Sequence, residues 1–110
     1  MEAYEVLEIV DKFILSDGRC LLLPDFPAAV GLPTPISLHA KVSRCDGSSE
    51  TCTLHLELTH FNIPASTDLN KRWRLVPRLS EINPDGISIG DKVAIFDANI
   101  AGKLLGRRMP

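Results

Sequence analysis

From Ile36 to Phe61 apolar and polar residues alternate on both sides of a turn, and such a segment leaves few choices of fold. On the first side Ile36, Leu38, Ala40 and Val42 share one parity, with Ser37, His39, Lys41 and Ser43 on the other. On the second, Cys52, Leu54, Leu56 and Leu58 are the apolar set, opposite Thr51, Thr53, His55, Glu57 and Thr59. Between them Asp46-Gly47-Ser48-Ser49-Glu50 has turn chemistry. Successive side chains of a strand point to opposite faces, so this pattern predicts a β-hairpin with one face in a core and the other wet. The same parity puts Cys52 with the leucines and Cys45 on the opposite side, which argues against a disulfide or a shared metal between them. With three cysteines in all, no closed disulfide framework is expected.

The flanking sequence reads as more short strands. Tyr4 to Val10 alternates loosely; Val6, Ile9 and Val10 favour a strand, while Glu2, Glu5 and Glu8 have helical spacing. Phe13-Ile14-Leu15 and Cys20-Leu21-Leu22-Leu23 flank Ser16-Asp17-Gly18-Arg19, which predicts a tight hairpin with positive φ at Gly18. Pro24 ends that strand. Asp25 to Pro35 reads as an ordered loop whose Phe26, Val30 and Leu32 plug one end of the core. Asn62 to Lys71 is a polar loop. Arg72 to Leu79 alternates again, with Trp73, Leu75, Pro77 and Leu79 on one face and Arg72, Arg74, Val76 and Arg78 on the other. Pro77 cannot donate to a ladder, so the strand is expected at an edge or to end early. Asn83-Pro84-Asp85-Gly86 is a turn, a second follows at Gly90-Asp91, and Val93 to Phe96 is a closing strand. The tail with Ile100, Leu104 and Leu105 is expected to add a short strand or pack loosely, and no helix is expected.

Six or seven short strands in 110 residues predict a single all-β domain, a small antiparallel β-barrel spanning residues 1–110. A barrel is expected because so short a chain must hide its sheet edges. Apolar residues make up 45% of the chain, as in ordinary globular domains. A formal net charge of -2 leaves no chain-wide basic field for nucleic acid. No apolar run approaches the roughly 20 residues of a membrane span, and Met1-Glu2-Ala3-Tyr4-Glu5 lacks the order of a secretion signal. The expectation is a cytoplasmic protein with no membrane partner.

Two pieces carry a resemblance. Val10-Asp11-Lys12-Phe13-Ile14-Leu15-Ser16-Asp17-Gly18-Arg19-Cys20-Leu21-Leu22 and Ile87-Ser88-Ile89-Gly90-Asp91-Lys92-Val93-Ala94-Ile95 cover about a fifth of the chain. They resemble the opening hairpin and a later turn of the β-barrel domain that follows the nucleotide-binding domain in translational GTPases such as elongation factor Tu. The resemblance implies a barrel fold and a contact role, since in that family this domain meets RNA and the surfaces of ribosome or factors. It implies no activity. The opening turn here lacks the family's second glycine or has slipped by one residue. The span between the two pieces is also longer than in the family. No G-x-x-x-x-G-K-[ST] phosphate loop is present, and Asn70-Lys71-Arg72-Trp73 has Trp73 where a guanine-specificity motif has an acid.

Among residues able to do chemistry, His39 and His55 project outward on paired strands with Lys41 and Glu57. Two histidines and one carboxylate fall short of a metal site, so no metal and no cofactor are expected. His60 has the parity of the leucines and is expected to turn inward. No cysteine or serine stands in a nucleophile motif, and no catalytic residue is expected. The basic concentration Lys71-Arg72-Trp73-Arg74 with Arg78 is the feature that points to a partner. Alternation puts Arg72, Arg74 and Arg78 in an outward row suited to phosphates or an acidic surface, with edge protection as the plain alternative. The expected function is a non-catalytic module binding a protein or RNA through Lys71, Arg72, Arg74 and Arg78, helped by His60 and Asn62 in the adjoining loop. The alternative is a small protein inhibitor that neutralises a cognate toxin or enzyme. A homodimer through an exposed edge strand is a further expectation.

Overall fold

The computed structural model describes residues 2–27, Leu32, 34–60 and 73–106, with only the backbone described for Pro27, His60 and Trp73. Among the described residues eight strands form one antiparallel sheet: β1 (Tyr4–Glu8), β2 (Asp11–Ile14), β3 (Cys20–Leu23), β4 (Phe26–Pro27), β5 (Ile36–Ser43), β6 (Ser49–His60), β7 (Trp73–Ser80) and β8 (Lys92–Ile95). Their order is β1-β8-β5-β6-β7-β3-β2, with β4 also paired to β7. The two ends of that order are neighbours in sequence. Ile9 N donates to Asp91 O and Gly90 N to Ile9 O, each at 2.8 Å, while Val10 N donates the other way to Leu23 O at 2.8 Å. One run of chain therefore serves both ends, and the sheet curls into a barrel-like shell. Curling hides edges, which a chain this short has no second layer to cover.

The central hairpin has the expected parity. Ile36 faces Leu56, Leu38 faces Leu54 and Ala40 faces Cys52. Ala40, Val42, Cys52, Leu54 and Leu56 are buried. Leu58 departs from its set and is 44% exposed, because its own strand outruns the β5 pairing, which stops at Leu56. The loop is Arg44 to Ser48, and Ser49 and Glu50 already belong to β6. Cys45 is exposed in it while Cys52 is buried, and all three cysteines are free. Burial, with Glu50 and Glu81 adding to it, pushes the Cys52 thiol up to about 11.

Tyr4 to Glu8 is a strand, and a bulge between Glu5 and Leu7 explains its loose alternation. The extra residue lets the adjacent Val6 and Leu7 both turn inward. Gly18 has φ +89, as the Asp-Gly pair requires.

Three expectations are corrected. Strand β7 is not an edge: β6 lies along one side, and β3 and β4 lie along the other. Pro77 is tolerated because β3 pairs at Arg78 and Leu79 and β4 at Arg74 and Leu75, so on that side it meets no ladder. Phe26 sits in the two-residue strand β4, buried, rather than in a loop; Leu32 is half-buried against the core, and Val30 lies outside the described residues. The tail is a helix, α1 (Ala98–Leu105), in place of a strand. Asp97 caps it by accepting from Ile100 N at 3.1 Å, and Gly106 ends it at φ +67. Ala101 and Leu104 are its buried residues, and it packs on β1. No helix among the described residues is long and apolar enough to cross a membrane.

The turn before β8 closes one end of the shell. Asn83 caps a short 3-10 turn, Pro84–Gly86, and two side chains clamp its carbonyls. Lys12 Nζ donates to Pro84 O and Ile87 O at 2.9 and 2.6 Å, and Arg44 Nε donates to Gly86 O at 2.8 Å. Asp91, buried, accepts from Ser88 N at 2.8 Å and holds the approach to β8. The Gly-Asp pair singled out in the sequence is thus a structural corner.

Candidate partner-binding face

Strand parity sends Arg74, Val76 and Arg78 of β7 to the outer face, together with His55, Glu57 and Thr59 of β6. Lys71, Arg72 and Asn62 lie outside the described residues, as do the side chains of His60 and Trp73. The described part of the arginine row is not a set of open cations. Arg74 donates from Nε and from a terminal nitrogen to the two oxygens of Asp25, both at 3.1 Å, and each side chain is about three-quarters buried. That bidentate geometry is the strong form of the pair. Arg78 donates to Glu57 Oε1 at 3.0 Å through one terminal nitrogen only. Its Nε is buried and has no hydrogen-bond partner among the described residues.

The two outward histidines do not converge. His55 sits between two hydroxyls, with Ser37 Oγ 2.8 Å from Nδ1 and Ser80 Oγ 2.7 Å from Nε2. A neutral imidazole satisfies both by donating once and accepting once. Burial first, and the positive charge of Arg78 second, hold its pKa below the ordinary histidine value. His39 instead stacks on Phe96, ring centroids 5.1 Å apart. No cluster of three or more His, Cys, Asp or Glu among the described residues is arranged to hold a metal ion.

Beside Arg78 the outer face dips into a groove of about 420 Å³. Its walls are Phe13 and Leu15 of the first hairpin, Leu21 and Leu23 of β3, and Val76, with Arg19, Glu57, Thr59 and Arg78 as its polar members. The register explains the assembly. Leu21 pairs with Phe13 on one side and Arg78 on the other, and Val76 pairs with Glu57, so these residues form neighbouring rows on one face. Phe13 is 49% exposed and Ile14 51%, both on strand β2. Volumes of this size lie near the lower end for ligand sites, which are commonly apolar with a few placed polar groups.

Of this groove only Arg78 was expected from the sequence to bind a partner. The other members left a different signal. Cys20-Leu21-Leu22-Leu23 and Phe13-Ile14-Leu15 are apolar without alternation, and such strands present apolar side chains on both faces. In a single curled sheet one of those faces must look outward.

No family model, curated protein or solved structure matches this chain.

Proposed function

We propose that the chain is a non-catalytic interaction module that docks a protein partner on the outer face of β2, β3, β7 and β6. The observation that carries this reading is the apolar groove beside Arg78, together with the carboxylates that already occupy Arg74 and Arg78. Phosphates of an RNA would have to displace Asp25 and Glu57 from those arginines. An apolar protein surface need only cover Phe13, Leu21, Leu23 and Val76. Exposed apolar patches rimmed by polar groups mark such sites. The resemblance to the translation-factor barrel belongs to the same proposal, since in that family the domain serves contact. An inhibitor of a cognate toxin or enzyme is one form the module takes within it.

The test is capture from lysate at two salt concentrations, with and without nuclease, using the wild-type chain and Phe13→Glu. The proposal expects a protein that persists through nuclease and high salt and is lost with Phe13→Glu. Circular dichroism and a cooperative melt check that the variant is folded, and Leu21→Ser replaces it if it is not. Nucleic acid that disappears at high salt would return the arginine row to an RNA role and overturn the reading. A protein retained equally by both variants would move the interface elsewhere.

A further inference from the structure

We infer that the groove beside Arg78 seats one uncharged aromatic side chain of the partner. The inference rests on the docking role proposed for this face and names the group that enters it. Charge decides against an ionic anchor. Two arginines line the groove, and each already has a carboxylate: Arg19 meets Asp17 at 2.7 Å, and Arg78 meets Glu57 at 3.0 Å. These pairs leave neither sign in excess. An acid or an amine entering here would give up its water and gain no free partner of opposite charge. An uncharged apolar group has no such cost, and it covers Leu21, Leu23 and Val76.

The way the arginines are paired decides for a ring over an aliphatic chain. A carboxylate bonds a guanidinium in its plane, through the N–H groups at its edge. The flat faces stay open to stacking, and an aromatic ring is the group that stacks on them. Arg19 is held through Nε and Arg78 through one terminal nitrogen, so both pairings are of this edge kind. Phe13, on the groove wall and 49% exposed, adds a ring of its own. Paired aromatic rings gain more than the area they bury. A volume of about 420 Å³ holds one aromatic side chain, and such side chains are the common anchors of protein interfaces.

Strand register bounds the site. Phe13 pairs with Leu21 and shares its face, whereas Ile14 pairs with Cys20 and has the opposite parity. Ile14, equally exposed at 51%, therefore lies outside the site and serves as the apolar control.

The experiment titrates the isotope-labelled chain with four probes and follows amide shifts: N-acetyl-tryptophanamide, N-acetyl-leucinamide, N-acetyl-tryptophan as the free acid, and tryptamine as the amine. N-acetyl-tryptophanamide is expected to shift Phe13, Leu21, Leu23 and Val76 and to bind about tenfold tighter than the leucine amide. The acid and the amine are each expected to bind more weakly than the uncharged amide. Arg78→Lys keeps the charge beside Glu57 but has no flat face, and is expected to narrow the aromatic preference to about threefold. Phe13→Ser weakens both amides, while Ile14→Ser changes neither; circular dichroism checks that each variant is folded. Equal binding of the two amides overturns the aromatic ring. Tighter binding of the acid or the amine overturns the uncharged anchor. Native mass spectrometry of the chain purified from lysate adds a separate arm, in which a small apolar molecule retained by wild type and lost with Phe13→Ser overturns the side chain as the source. If no probe shifts the groove residues the inference falls, and the lysate capture decides separately whether the docking face survives.

Discussion

The β2–β3 and β5–β6 hairpins turn on one pattern, Leu15-Ser16-Asp17-Gly18-Arg19 in the first and Arg44-Cys45-Asp46-Gly47-Ser48 in the second. In each, the first residue's N–H donates to the last residue's carbonyl at 2.8 Å. In each, the glycine N–H donates back to the first residue, at 2.9 Å for Gly18 and 3.0 Å for Gly47. Asp17 accepts from Arg19 N at 3.1 Å, and Asp46 from Ser48 N at 2.8 Å. The glycines have φ +89 and +90. Beyond the turns the likeness stops. The β5–β6 ladder runs for eight residue pairs, with β8 and β7 on its flanks, and buries Ala40, Val42, Cys52, Leu54 and Leu56, with Ile36 and Leu38 packed half-buried beside them. The β2–β3 ladder runs for four, and Phe13 and Ile14 remain half exposed. A turn is a local object that its own five residues specify. What a hairpin buries is set by the strands that happen to flank it. The poorly covered hairpin is the one that borders the groove.

The sharpest way to break this contrast is truncation on each hairpin. Leu54, fully buried, is expected to cost about 2–5 kcal/mol as Leu54→Ala. Phe13→Ala is expected within about 0.5 kcal/mol of wild type. Urea unfolding with an unchanged m-value reads both. A loss at Phe13 comparable to that at Leu54 would make it core, and the docking face would lose its free aromatic.

A smaller effect tests the likeness instead of the difference. Nothing lies within 4 Å of a Cβ built on Gly18 or Gly47, so Gly→Ala at either meets only the backbone penalty of positive φ. Each variant should lose about 1–2 kcal/mol, and the two losses should agree. Unequal losses would mean that the flanking strands reach into the turns after all.

The smallest effect is electrostatic. The Arg19 amide lowers the pKa of Asp17, and the hydroxyl and amide of Ser48 lower that of Asp46. A carboxyl whose folded pKa lies below its unfolded value adds stability above the unfolded value and loses it as pH falls through the folded one. Carboxyl carbon titration by NMR should place both midpoints below the ordinary 3.8. A midpoint at the ordinary value for either would show that its turn is not capped in solution.

The central hairpin, the Asp-Gly turns and the burial of Cys52 were legible because each depends on residues close in sequence. Helix α1 was missed although its signals were present: Asp97 before it, Ala101 and Leu104 three apart, and Gly106 after it. Eight residues make too short a helix to declare itself without the strand it packs on. Pro77 misled for the opposite reason, since a strand rule placed it at an edge and the gap between β3 and β4 made room for it in the interior. Arg74 and Arg78 were read as an open row because their partners, Asp25 and Glu57, are distant in sequence.

The sequence by itself determined the alternation, the turns and the all-β class, because period-two patterning and positive-φ glycines act over a few residues. Only the tertiary structure decided which apolar residues were left outside and which charges were already spent. Both depend on the order in which strands meet, and in this sheet β3 reaches β7 across the whole central hairpin. That pairing brings Leu21 beside Arg78 and makes the groove.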